Sequence, residues 1–139
     1  MILYLDTSSL VKLYVEEEGS DEIRALVEAA DIVSTSVLAY PESYSAFARQ
    51  QREGGLTIEE YWRAKADLAR DWPTFLRIDV TEPIYRHAGE LAGQHALRGF
   101  DSLHLASYLA LVSVKPSRTV RFSSFDERLS AAASREGGG

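Results

Sequence analysis

Four short runs of strand-forming residues are spread along the 139-residue chain: ILYL (2–5), DIVSTS (31–36), TFLRIDV (74–80) and TVRFSS (119–124). The stretches between them are long enough for helices. This spacing constrains the fold more than any other feature. Strands joined through helices need crossover connections, so they pair mostly parallel. The chain is therefore expected to be α/β, with a central, mostly parallel sheet flanked by helices. In open sheets of this kind, sites form just beyond the carboxyl ends of the strands.

The helices between these runs carry readable boundaries. A short helix over SLVKLYV follows the first strand. Ser20 is expected to N-cap a helix to about Ala30, with Asp21 and Glu22 in its first turn. Leu38 to Glu53 reads as a helix ended by Gly54-Gly55. Thr57 and Glu60 have capping-box spacing for a helix to about Asp71, which Pro73 stops. Thr81 and Pro83 open another helix, expected to run to about Leu97 and end at Gly99. Asp101 starts DSLHLASYLALV, and DERLSAAASRE is the last helix.

Bulk composition narrows the classes. The length favours one domain, taken as 1–136, with 137–139 as an unstructured tail. A hydrophobic content of 45% is enough for a packed core, while the absence of cysteine excludes disulfides and thiolate chemistry. No apolar run approaches the ~18 residues of a membrane span. A secretory leader is not expected either, so the expected location is cytoplasmic. The net charge of −6 argues against broad, charge-driven binding of nucleic acid. A small basic rim is still compatible with that balance, and 12 of the 15 basic residues are Arg, the better type for bidentate phosphate contacts.

The acids are placed unevenly. Asp6 ends the first strand, Glu42 lies in the first turn after the second, and Asp126 follows the fourth. Asp101 sits at a helix N-terminus, where backbone dipoles favour negative charge. Two carboxylates ~5–6 Å apart repel by roughly 3 kcal/mol at an effective dielectric of ~20. Four would approach ~18 kcal/mol as an upper limit, which rivals the whole stability of a domain. Such a cluster needs protons, Arg or Lys, or a divalent cation. Oxygen-only donors suit Mg²⁺ or Mn²⁺, and an ion so held suits phosphodiester hydrolysis.

Each acid also has a plain structural reading. Asp6 and Asp101 could simply cap helices, Glu42 could be a solvated first-turn residue, and Asp126 competes with a capping box from Ser124 to Glu127. Tyr40, Tyr44 and Phe47 form an aromatic stripe opposite Glu42, expected in the core or a dimer contact. His87 and His95 have no nearby ligand partner in sequence. His104, one turn after Asp101, is expected to support the site rather than react. No glycine-rich nucleotide loop or nucleophile elbow is present.

The segments LDTSSLVKLYVEEEGS, SVLAYPES, RGFDSLHLAS and VRFSSFDERLSAAA, in this order, resemble the PIN domain family. Within it they are most similar to VapC-type toxins of prokaryotic toxin–antitoxin pairs. The resemblance spans nearly the whole chain. It implies a PIN-like three-layer fold and a Mg²⁺- or Mn²⁺-dependent endoribonuclease. Asp6, Glu42, Asp101 and Asp126 would be the catalytic and metal-binding set, with Ser8 and Ser124 as supports. Ser124 stands where the family often carries Thr. The resemblance also implies an RNA substrate, a VapB-like antitoxin and a homodimer. Arg49, Arg52 and Arg98 are candidates to steer RNA.

Two other classes compete. Asp6 as a phosphoryl-accepting nucleophile would want a second acid at position 8 or an adjacent acidic pair; position 8 is Ser, and Lys115 is the only late lysine. A non-catalytic PIN-like module would use the acidic edge only to dock an Arg-rich partner. A PIN nuclease that is not a toxin is the remaining variant.

Overall fold

The computed structural model describes residues 1–137. The elements in chain order are β1 (Ile2–Leu5), α1 (Thr7–Val11), α2 (Ser20–Ala29), β2 (Ile32–Ser36), α3 (Ala39–Arg52), α4 (Ile58–Asp71), β3 (Leu76–Ile78), α5 (Glu82–His95), α6 (Gly99–Val114), β4 (Val120–Ser123) and α7 (Glu127–Gly137). The strands form one sheet in the order β3-β2-β1-β4, and every pairing is parallel. No helix among the described residues is long and apolar enough to cross a membrane.

The sheet separates two apolar cores. Ile2 and Tyr4 face one core with residues of α5, α6 and α7; Leu3 and Leu5 face the other with residues of α1 to α4. That alternation explains why all four positions of ILYL are apolar: β1 is buried on both faces. The result is a three-layer arrangement, as expected. The aromatic stripe belongs to the second core. Phe47 is fully buried, and Tyr40 stacks on Tyr44 at 4.7 Å and packs against Trp72.

Several boundaries shift for identifiable reasons. Ser20 is the first residue of α2, not its cap; Gly19 holds that place in left-handed geometry, φ +95°. The Ser20 hydroxyl turns back, donating to Val15 O and accepting from Glu17 N. The predicted capping box at Thr57 and Glu60 is present in full. β3 is shorter than its apolar run, as an edge strand paired only with β2.

α5 ends at His95, earlier than expected, with Ala96 left-handed at φ 54°, ψ 44°. Turning there buries Leu97 in the core. Gly99 consequently opens α6 rather than closing α5, and Asp101 is the third residue of α6, not its cap. At the other end, α7 extends through Gly137, the first residue of the expected tail; the rest of that tail, Gly138 and Gly139, lies outside the described residues. Glu136 is anchored to the His95 ring at 2.7 Å.

Candidate active site

In the order β3-β2-β1-β4, the chain turns to one side after β1 for β2 and β3, and to the other for β4. The switch point therefore lies between β1 and β4, where the carboxyl ends of the strands splay loops apart and leave a crevice. Asp6 leaves β1 there, and Ser124 and Asp126 leave β4. The Asp6 backbone N–H is still bonded to Ser123 O at 3.1 Å, so the two strand ends are fixed to each other. The N-terminal turns of α3 and α6 bring Glu42 and Asp101 to the same place. All four acids line one cavity of about 750 Å³, together with Thr7, Ser8, Lys12, Arg49, Arg98 and His104. Arg52 is not part of its wall.

Asp6 caps a helix and also lines the cavity. Its Oδ1 accepts from the Ser9 backbone N–H at 3.0 Å, capping α1, and from Ser8 Oγ at 2.7 Å. Its Oδ2 accepts from Ser124 Oγ at 2.6 Å. Ser8 and Ser124 thus hold the carboxylate in place, and each bonds the following loop as well: Ser8 Oγ accepts from Phe125 N, and Ser124 Oγ from Asp126 N. Asp6 is only 3% exposed. Burial raises its carboxyl above the ordinary range, opposed by the nearby His104 and by the bonds from Ser124, Ser8 and Ser9.

Glu42 is held by a network that the sequence did not reveal. Its Oε1 meets the Thr7 hydroxyl and His104 Nε2, the latter at 3.1 Å. His104 Nδ1 lies 2.9 Å from the hydroxyl of Tyr4, which is fully buried. One assignment satisfies every group: Nε2–H donates toward Glu42, and Nδ1 accepts from Tyr4 O–H. Burial works to raise the Glu42 carboxyl, yet the bonds from His104 and Thr7 and the charge of Arg98 outweigh it, leaving Glu42 below its ordinary value. His104 supports an acid of the site, as its position one turn after Asp101 suggested. Thr7 and Tyr4 carried no spacing signal beyond flanking Asp6 and lying in β1.

The other two acids face Arg98. Asp101 Oδ2 accepts from Arg98 Nε at 2.9 Å, and Asp126 Oδ2 lies 3.8 Å from Arg98 Nη2. Asp126 Oδ1 accepts from Leu129 N at 2.9 Å and so caps α7. A single carboxylate again divides its oxygens between helix and cavity.

The donor set fits a hard divalent cation. Glu42 Oε2 and Asp101 Oδ1 accept no hydrogen bond among the described residues, and Asp126 Oδ2 meets only Arg98. Carboxylate oxygens of this kind suit Mg²⁺ or Mn²⁺. As the side chains stand, no three acid or imidazole groups among the described residues converge tightly enough to close around an ion.

Comparison with known proteins agrees with this architecture. The PIN domain family model matches residues 3–134. Ribonuclease VapC45 of Mycobacterium tuberculosis (strain CDC 1551 / Oshkosh) is 42% identical over 114 residues, covering 79% of this chain and 76% of that protein. Two solved structures share the fold. The Mycobacterium tuberculosis toxin VapC20, described as cleaving the Sarcin-Ricin loop, superposes with a TM-score of 0.65 at 18% identity over 94% of each chain. VapBC2 from Rickettsia felis, bound to a DNA fragment from its promoter, gives 0.56 at 13% identity, covering 89% of this chain and 100% of that one. With the match running from the first strand into the last helix, the chain belongs to the PIN domain family, among its VapC proteins.

Proposed function

We propose that this protein is an endoribonuclease and the toxin of a VapBC-like toxin–antitoxin pair, hydrolysing RNA phosphodiester bonds with Mg²⁺ or Mn²⁺. The observation that carries the reading is the meeting of Asp6, Glu42, Asp101 and Asp126 in one cavity at the switch point of the sheet. The identity to Ribonuclease VapC45 supports the reaction class.

Asp6 and Asp101 would be the chief ligands, with Glu42 and Asp126 completing the set. When bound, the ion supplies charge neutralisation at the phosphate and a more acidic water. The chain's own residues set the rest. Ser8 and Ser124 fix the Asp6 carboxylate so that little reorganisation accompanies binding. His104 and Thr7 keep Glu42 ionised and pointed, which suits it to orient an attacking water by accepting a hydrogen bond. Arg49 and Arg98, on the cavity wall, supply positive charge to an RNA backbone that the acids alone would repel.

A VapB-like antitoxin is the expected partner, with a guanidinium of the partner well suited to pair with these carboxylates. A homodimer in the cytoplasm completes the proposal. The test is cleavage of a mixed RNA pool with Mn²⁺ or Mg²⁺, against EDTA and against Asp6→Asn and Asp101→Asn. Cleavage that survives EDTA, or that both variants retain, would sink the metal assignment. No cleavage and no metal-dependent rise in melting temperature would leave a binding module.

A further inference from the structure

Arg98 is the N-cap residue of α6, three residues before Asp101. Its guanidinium spans two acids delivered by different elements, Asp101 of α6 at 2.9 Å and Asp126 before α7 at 3.8 Å. It also lines both the main cavity and an adjoining hollow of about 290 Å³, walled by Glu42, Gly99, Phe100 and Asp101. Among the described residues, no other guanidinium or ammonium pairs with any of the four acids. Lys12, which also lines the cavity, is taken by Glu17 at 3.0 Å and by the face of Phe125.

The side chain of Arg98 is 82% exposed, so charge holds it in place and packing does not. A long exposed side chain with that hold can leave without disturbing the core. Its present position meets the electrostatic demand of the acid cluster with one positive charge. It also draws Asp101 Oδ2 and Asp126 Oδ2 to one guanidinium.

We propose that Arg98 is a built-in counter-ion that occupies the Asp101–Asp126 side of the site in the ion-free protein and competes with the divalent cation for it. This rests on the metal-dependent reading above. Metal entry requires the guanidinium to swing out, and the swing places a free positive charge at the cavity mouth, where an RNA phosphate must approach. The apparent metal affinity is then reduced by the fraction of protein in which Arg98 is already out. Exposed ion pairs are individually weak, so two of them set a penalty of roughly three- to tenfold rather than a block.

The test is Mn²⁺ binding by isothermal titration and by the loss of the free-Mn²⁺ electron paramagnetic resonance signal, at low salt. Wild type is compared with Arg98→Gln, Arg98→Lys and Arg118→Gln, whose folding is checked by melting temperature. Arg118 pairs with Asp31, next to β2's first residue and so at the amino end of the sheet, and its variant reproduces the change in net charge. R98Q should bind Mn²⁺ roughly three- to tenfold more tightly than wild type. R98K should fall between, since one ammonium cannot span both acids, and R118Q should match wild type. An R98Q affinity equal to or weaker than wild type overturns the inference while leaving the metal reading intact. Absence of binding in every protein overturns both.

Discussion

Replacing Asp6 with Asn removes one charge at nearly constant shape and should stabilise the ion-free protein. Asp6 is buried, and its raised pKa means that its ionised form is less favoured in the fold than in the unfolded chain. A like charge ~8 Å away costs about 2 kcal/mol at an effective dielectric of ~20. Glu42, Asp101 and Asp126 share the cavity, and Arg98 offsets part of their repulsion. Against this gain, the bonds from Ser8 and Ser9 to Oδ1 each weaken by about 0.5–1 kcal/mol when that acceptor becomes neutral, and the Ser124 hydroxyl, which donates to Oδ2, must turn to accept from the amide NH2 that takes its place, at a similar cost of about 1 kcal/mol. The balance is a gain on the order of 1 kcal/mol, or about 4 °C in melting temperature for a chain of this length.

The pH dependence has a definite sign. Below the ordinary carboxylate range, near ~3.9, Asp6 is protonated in both states and the variant has no advantage. As pH rises from there through the raised folded-state pKa, wild type progressively takes on the penalty of a buried charge. The advantage of D6N therefore grows over that window and is flat above it. In excess Mn²⁺ the order reverses, because an ion at 100 times its dissociation constant stabilises wild type by about 2.7 kcal/mol and the variant lacks a ligand. Scanning fluorimetry in EDTA and in Mn²⁺ from pH 4 to 8 measures all of this. A D6N protein less stable than wild type in EDTA at pH 7, or a difference that ignores pH, would refute the reasoning.

Asp126→Asn keeps a good N-cap and should hold its stability, whereas Asp126→Ala should lose about 1 kcal/mol in urea denaturation because α7 loses its cap. Both should weaken Mn²⁺ binding, and equal stability of the two would contradict the shared use of that carboxylate. Ala96→Gly relieves a left-handed alanine and should add about 0.5–1 kcal/mol without changing activity; a loss would show that the Ala96 methyl group is needed. His104→Ala strands the buried Tyr4 hydroxyl and should cost about 2–4 kcal/mol. In a double-mutant cycle with Tyr4→Phe the costs should fall short of additive by about 1 kcal/mol, and strict additivity would rule out the pairing.

What the sequence made legible, and what it hid, follow from how far each constraint reaches along the chain. β1 was readable because burial on both faces leaves four apolar residues in a row. The capping box at Thr57 and Glu60 was readable because both partners lie within one turn. Ala96 was not, because the early end of α5 is imposed by the burial of Leu97, a tertiary demand that outweighs the local preference for ending at Gly99. The Tyr4–His104–Glu42 network joins residues 100 and 62 positions apart, and no local period marks it. Arg98 was visible only as one arginine among several near the site. Asp6 and Asp126 show that capping a helix and lining the cavity are not alternatives for one carboxylate. A carboxylate has two oxygens, and at a strand end that feeds a helix one can satisfy the helix while the other meets the crevice. Asp126 divides them cleanly, Oδ1 to Leu129 and Oδ2 toward Arg98. Capping fixes the position of a charge that would otherwise be free to turn away from its like neighbours. The helix starts of α1 and α7 therefore help to hold these two acids at the crevice, where the proposed ion would meet charge that the fold already keeps in place.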